Sequence, residues 1–240
     1  MMKQIIAMGG GGFSMEPDNI RLDYYALAQT QKENPVICFL PTASAESPKY
    51  INDFYTAFTR LNCRPRHLSL FNLPSTDLEG YVMECDLIYV GGGNTRSMLA
   101  LWREWNLDVI LHKAWEKGVV MAGLSAGAIC WFSHGVTDAV PGRFMSMQST
   151  GFLRGSCNPH YDLPSERRTV FHQMISSGEL PGGYGIDNYA ALHFIDQKLE
   201  VVICSQEGKA AYEVSLEAGE VLEQCLNSVL LDENGSLPTK

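Results

Sequence analysis

The stretch from Val119 to Phe132 constrains the fold more than any other. A short apolar strand, Val119-Val120-Met121-Ala122, leads into Gly123-Leu124-Ser125-Ala126-Gly127-Ala128. Ile129, Cys130, Trp131 and Phe132 follow and read as an apolar helix. A G-x-S-x-G pattern gains its meaning in this strand–turn–helix setting: the glycines admit a turn too sharp for larger side chains, and the turn lifts the serine hydroxyl into a cleft. The N–H after the serine then lies at a helix N-terminus, where unpaired donors and the helix dipole favour a developing oxyanion. The first 125 residues supply a sheet for such an elbow. Apolar runs at Lys3 to Met8, Val36 to Leu40, His67 to Leu70, Asp86 to Val90 and Val119 to Ala122 alternate with helical patterns over 17–31, 48–61 and 107–115. The expectation is an α/β fold with a three-layer, doubly wound, mostly parallel sheet. Three strands end in glycines, at 9–12, 91–93 and 123–127, and ligands of such sheets bind at those carboxyl ends.

The texture changes after the elbow. Residues 135–165 mix Gly, Pro, Arg and His with little periodicity and read as a long functional loop region. A helix is expected over 166–177, with Val170, Phe171, Met174 and Ile175 on one face. From Gly185 onward the part is β-rich, with strands expected at 190–195, 199–204, 209–214 and 219–224, and the polar tail 232–240 is expected to fray. With no repeat or linker, residues 1–240 read as a single domain.

Composition narrows the function classes. Hydrophobic residues make up 45% and charged residues 19%, which excludes disorder. A net charge of −9 with no Lys/Arg cluster argues against nucleic acid or an anionic membrane as partner. The apolar run before the N-terminal glycines is too short for a signal-peptide core or a membrane span. Seven scattered cysteines (38, 63, 85, 130, 157, 204, 225) form no C-x-x-C pair, so neither a disulfide framework nor a zinc ribbon is indicated, and a cytoplasmic location is expected.

A serine nucleophile needs a base. His112 and His172 lie in helical stretches, His67 and His193 at strand edges, and His134 close behind the elbow helix, all suited to structural roles. His160 sits in Ser156-Cys157-Asn158-Pro159-His160-Tyr161-Asp162, where the preceding proline fixes the local chain, and it is the expected base. Spacing alone leaves the orienting carboxylate open among Asp138, Asp187, Asp162 and Glu207.

Taken together, Gly91-Gly92-Gly93-Asn94-Thr95, Gly123-Leu124-Ser125-Ala126-Gly127-Ala128, Asn158-Pro159-His160 and Gly185-Ile186-Asp187 resemble the S51 serine peptidases, the family of aspartyl dipeptidase (peptidase E) and cyanophycinase. The resemblance runs from about residue 3 to 214. It implies a fold like that of class I glutamine amidotransferases and a cytoplasmic Ser-His-acid peptidase with neither metal nor organic cofactor. It further implies a small peptide as substrate and leaves a homodimer possible. Ser125 matches the family nucleophile, His160 the base, and the N–H groups of Gly93 and Ala126 the oxyanion hole. For the acid, Asp138 matches one family position and is expected to serve, with Asp187 as the alternative. Some members place a Glu where this chain has Asn188. Asn94, Arg167 and Arg168 are the candidate substrate contacts. Aspartyl dipeptidases read the acidic side chain with an Arg shortly after the catalytic His. Here Ser165 takes that position and Arg167 and Arg168 fall out of phase, so strict aspartyl specificity is not expected. Two alternatives are an esterase of α/β-hydrolase type, whose chain order Ser125, Asp138, His160 would match, and a non-catalytic small-molecule binder on the same fold. A serine-reactive phosphonate separates the binder from the enzymes.

Overall fold

Fourteen strands and seven α-helices are found among the described residues, 2–163 and 166–238, of the computed structural model. The strands are β1 (Gln4–Met8), β2 (Val36–Leu40), β3 (Arg64–His67), β4 (Leu87–Val90), β5 (Val120–Leu124), β6 (Phe132–Val140) and β7 (Arg143–Gln148). They continue with β8 (Leu153–Pro159), β9 (Gly183–Ile186), β10 (Ala190–Ile195), β11 (Lys198–Cys204), β12 (Ala211–Glu217), β13 (Glu220–Leu226) and β14 (Ser228–Leu230). The helices are α1 (Arg21–Ala28), α2 (Pro48–Phe58), α3 (Leu78–Met83), α4 (Thr95–Glu104), α5 (Leu107–Glu116), α6 (Ala126–Ile129) and α7 (Arg167–Ser176).

The glycine-ended runs form the centre of an eight-stranded sheet ordered β14-β11-β10-β1-β5-β4-β2-β3. From β1 to β3 every pairing is parallel, whereas β10 joins β1 antiparallel. The central strands are apolar throughout because both faces are covered. Ile5, Cys38, Ile88 and Met121 pack with Val82, Trp102 and Leu111 of α3, α4 and α5 on one face. Ile6, Phe39, Tyr89 and Ala122 pack with Leu22 of α1 and Phe54 and Phe58 of α2 on the other.

A second, six-stranded sheet, ordered β13-β12-β9-β8-β6-β7, takes in the expected strands 209–214 and 219–224 as β12 and β13, while its other four strands were not expected from the sequence. The region 135–165, read as an irregular loop, supplies β7 and β8 and most of β6. These strands escape notice because β7 is partly exposed along its length and β6 loses its burial after Thr137, so no clean alternation of period two survives. The apolar run after the elbow is likewise mostly not helix: α6 ends at Ile129, and Phe132 already opens β6. Phe132, Cys157 and Ile186 join the large core below the first sheet, while α7 covers the other face of the second sheet through Phe171, Met174 and Ile175 packed with Val136 and Val214. All seven cysteines are free thiols, five of them buried. Residues 232–236 of the expected tail close a hydrogen-bonded turn, with Gly235 seated against the backbone of α1.

Asp23 of α1 is completely buried beside Phe13 and Tyr89. Burial, with neither carboxyl oxygen finding a hydrogen-bond partner among the described residues, pushes its carboxyl up to about 7. The folded chain therefore holds a proton that the unfolded chain releases near 4, and stability falls as pH rises from about 4 to about 7. Asp23→Asn should flatten that part of the profile, raising Tm at pH 8 while leaving it nearly unchanged at pH 4. Calorimetry at the two pH values checks this.

Candidate active site

The elbow is set by how closely three pieces of backbone approach. A β-carbon on Gly127 would lie 2.2 Å from the Val90 carbonyl oxygen at the end of β4, and one on Gly123 would lie 2.5 Å from the Gly127 carbonyl oxygen. No larger residue fits at either position, so α6 seats directly on the ends of β4 and β5. Ser125, between them, adopts φ 55° and ψ −112°, a conformation costing a non-glycine residue about 1–3 kcal/mol. Its N–H is held by the Met8 carbonyl at 3.1 Å, continuing the β1–β5 register. The hydroxyl is thereby turned away from α6, which it does not cap.

His160 follows the last residue of β8, also with positive φ (55°), and its N–H donates to the Gly9 carbonyl at 3.2 Å. Its Nε2 lies 2.9 Å from Ser125 Oγ. Its Nδ1 lies 2.7 Å from Oδ1 of Asn188, which follows β9. Asn188 is buried, and both its N–H and its side-chain Nδ2 donate to Asp162 Oδ1, at 2.9 and 3.0 Å. The Gly9–Gly12 loop templates the junction: Tyr189 N–H donates to the Gly10 carbonyl, and a β-carbon on Gly10 would sit 2.2 Å from Asn188 Oδ1 and 3.1 Å from the His160 ring.

The structure thus brings Ser125 and His160 together, as expected, but neither expected acid touches the base. Asp138 lies near the exposed end of β6, its side chain 60% exposed, and binds Arg167 Nη2 at 2.5 Å. Asp187 is buried and turns to the Ala210 N–H at 3.1 Å. Glu207 is exposed on the loop after β11. Asn188 takes the place facing Nδ1. Because an amide does not titrate, a search among carboxylates passes over it, although its position after Gly185-Ile186-Asp187 is the signal that could have found it.

Among the described residues, the N–H groups of Gly93 and Ala126 have no hydrogen-bond partner, whereas the neighbouring Gly92 N–H donates to the Tyr50 hydroxyl. Asn94, expected to contact substrate, is engaged structurally: its Oδ1 caps α4 at Ser97 and its Nδ2 donates to the Ala139 carbonyl. Arg167 is buried between Asp138 and Asn158, and Arg168 binds Glu223. Ser165 lies outside the described residues. The remaining histidines are used elsewhere: His193 with Tyr25 and Gln4, His67 with Tyr55, His172 with Glu223, His134 with Ser133, and His112 against Trp115 and Phe152. No group of three or more His, Cys, Asp or Glu side chains able to hold a metal occurs among the described residues, and no described helix is long and apolar enough to cross a membrane.

Comparison with known proteins follows the same lines. The model of peptidase family S51 matches residues 5–202. A Bacillus subtilis (strain 168) protein described as an uncharacterized peptidase, YgaJ, is 58% identical over 222 residues, covering 92% of this chain and 96% of that protein. Two crystal structures share the fold. A peptidase from an acI-B1 Actinobacterium superposes with a TM-score of 0.69 at 18% identity, covering 95% of each chain. A putative peptidase E protein from Listeria monocytogenes EGD-e gives a TM-score of 0.57 at 17% identity, covering 95% of this chain and 100% of that one.

Burial holds the His160 imidazole below the 6.5 of a free histidine, and the Arg167 cation adds to that, partly opposed by the Asn188 hydrogen bond and by Asp138 and Asp162. The neutral ring able to accept a proton is therefore the form present at neutral pH. The rate at which a fluorophosphonate labels Ser125 should fall on an acid limb centred below pH 6.5, with no further gain between pH 7 and 8. A limb centred above 7 would contradict it.

Proposed function

This chain belongs to peptidase family S51, and from that premise we propose that it is a serine-type peptidase of small peptides in which Ser125 is the nucleophile, His160 the base and Asn188 the third member. The observation that carries this reading is the 2.9 Å contact between Ser125 Oγ and His160 Nε2, made by a serine held on a strained, glycine-flanked turn. As Oγ attacks the peptide carbonyl carbon, its proton passes to His160 Nε2 and the carbonyl electrons move onto oxygen. That oxyanion is received by the free N–H groups of Gly93 and Ala126, the latter at the start of α6. The imidazolium then gives its proton to the leaving amine, forming the acyl-enzyme. Water, deprotonated by the same nitrogen, attacks the ester carbonyl, and the proton returns to Ser125 as the acid product leaves. Asn188 accepts the Nδ1–H bond throughout and so keeps Nε2 available.

A neutral third member changes the electrostatics but not the geometry. An amide oxygen orients the ring as a carboxylate would, yet adds no full negative charge beside the imidazolium. Charge balance then rests on the more distant Asp138 and Asp162, both of which favour the protonated ring.

Ser125→Ala should preserve the fold and lower peptide turnover by up to about 10⁶-fold, with His160→Ala costing about the same and the double variant no more, since the two act as one unit. Near-wild-type turnover by purified Ser125→Ala would falsify the nucleophile assignment.

Substrate choice follows from where the cations are spent. Arg167 and Arg168 already face carboxylates of the chain itself, Asp138 and Glu223. An acidic substrate side chain would have to displace one of them. Losing a dedicated charge-assisted contact is worth about 1.5–3 kcal/mol, roughly ten- to a hundredfold in selectivity. Values of kcat/KM for Asp-Leu, Ala-Leu, Asn-Leu and Lys-Leu should therefore lie within about tenfold of one another. A preference for Asp-Leu well beyond that sinks the prediction, and Ala substitution of Arg143, Arg154, Arg167 and Arg168 in turn would locate the responsible cation.

A further inference from the structure

The mechanism above uses Asp162 only through its field on the ring, yet it sits two residues after the base and behind the third member. Its two oxygens have separate partners. Oδ1 receives both donors of Asn188, the backbone N–H at 2.9 Å and Nδ2 at 3.0 Å, while Oδ2 faces Lys209 Nζ at 2.6 Å. The side chains of Asp162 and Lys209 are only 19% and 26% exposed. Burial alone would raise the Asp162 carboxyl, but Lys209 and the Asn188 N–H outweigh it and hold it below its ordinary value. The group behind Asn188 is therefore an ionised carboxylate, which can accept hydrogen bonds and cannot donate them.

That restriction propagates. The two ends of an asparagine amide are nearly isosteric, so only its neighbours decide which way it points. An acceptor-only Asp162 requires Nδ2 on its side and therefore Oδ1 on the side of His160. Oδ1 is itself only an acceptor, so His160 Nδ1 must carry the hydrogen. The neutral ring then has a bare Nε2, and that nitrogen faces Ser125 Oγ at 2.9 Å. With the amide reversed, Nδ2 would face Nδ1, the ring would hold its hydrogen on Nε2, and Ser125 would have no base.

We propose that Asp162 is a positioning residue which, through Asn188, fixes the tautomer of His160 that can deprotonate Ser125. This rests on the Ser125–His160 reading for its catalytic consequence, though not for the tautomer itself. Lys209 is the countercharge that keeps Asp162 an acceptor. The chain thus uses an amide relay with its carboxylate one step removed from the ring.

The test compares wild type, Asp162→Asn, and the exchange Asp162→Asn with Asn188→Asp, which puts the carboxylate against the ring and the amide behind it. The readouts are the fluorophosphonate labelling rate, kcat and KM for a cleaved dipeptide, and the pH profile of labelling. In Asp162→Asn the amide at 188 can reverse, so labelling and kcat should fall about tenfold or more, up to the roughly 10²- to 10⁴-fold that a positioned base supplies, with KM little changed. The exchange should recover most of the loss, showing that Asn at 162 is tolerated by the fold. The acid limb should move in opposite directions. It should go down in Asp162→Asn, where a charge that favours the protonated ring is removed, and up in the exchange, where a carboxylate touches the ring. Wild-type rates in Asp162→Asn, or a loss that the exchange leaves untouched, would overturn the proposal. Nitrogen NMR of His160 in the unmutated protein reads the tautomer directly, without activity and without any variant having to fold. Hydrogen on Nδ1 supports the proposal, and hydrogen on Nε2 overturns it. A wild type that neither labels nor cleaves peptides, with hydrogen on Nδ1, would instead remove the peptidase reading and leave the positioning intact.

Discussion

The site depends on one close approach, that of Gly127 to the end of β4. With the Val90 carbonyl oxygen 2.2 Å from where a β-carbon would stand, α6 has a single seat. That seat bends the chain at Ser125 into φ 55°, ψ −112°. Local strain of about 1–3 kcal/mol persists only where the surroundings over-determine it, and here they do: β4 and β5 lie beneath, the Met8 carbonyl holds the Ser125 N–H, and a fully buried core lies under all of them. The hydroxyl is presented to His160 because the backbone has nowhere else to go.

Ser125 and His160 come from different sheets, and the Gly9–Gly12 loop is the seam. Gly9 accepts from His160 N–H and donates to the Ala190 carbonyl, while Gly10 accepts from Tyr189 N–H. Backbone bonds, insensitive to side-chain identity, thus fix the ends of β8 and β9 against the end of β1. The absence of a side chain at Gly10 leaves room for the His160–Asn188 pair. The Asn188–Asp162–Lys209 chain runs from the buried Asn188 outward to Lys209, with donors and acceptors paired along its length.

An amide in the third position shifts the electrostatic burden outward. Burial of the ring and the field of Arg167 favour its neutral form, while the hydrogen bond that Nδ1 donates to Asn188 Oδ1 and the fields of Asp138 and Asp162 favour the charged one. Asp138 therefore bears on the base at a distance, even though its bond is to Arg167. The balance leaves a ring that is neutral at neutral pH.

Much of this was legible in residue order. Glycine-ended apolar runs, the G-x-S-x-G turn and a proline-anchored histidine depend on local backbone rules, so the central sheet, the elbow and the Ser125–His160 pair could be read from the chain. The second sheet could be read only in its C-terminal strands, β12 and β13: the β6–β7 hairpin is half-exposed and shows no clean alternation, and β8 pairs in parallel with strands distant in the chain. The third member was hidden for a related reason. Asp138, Asp187, Asp162 and Glu207 are equivalent as residue types, and the choice is made by where strand ends fall in space. The end of β6 carries Asp138 outward to Arg167, the turn after β9 aims Asp187 at Ala210, and the same turn aims Asn188 at the ring. Sequence alone determined which groups can do chemistry. Tertiary structure decided which of them meet, because a contact of 2.7 Å is set by the packing of two sheets against one loop rather than by any neighbour in the chain.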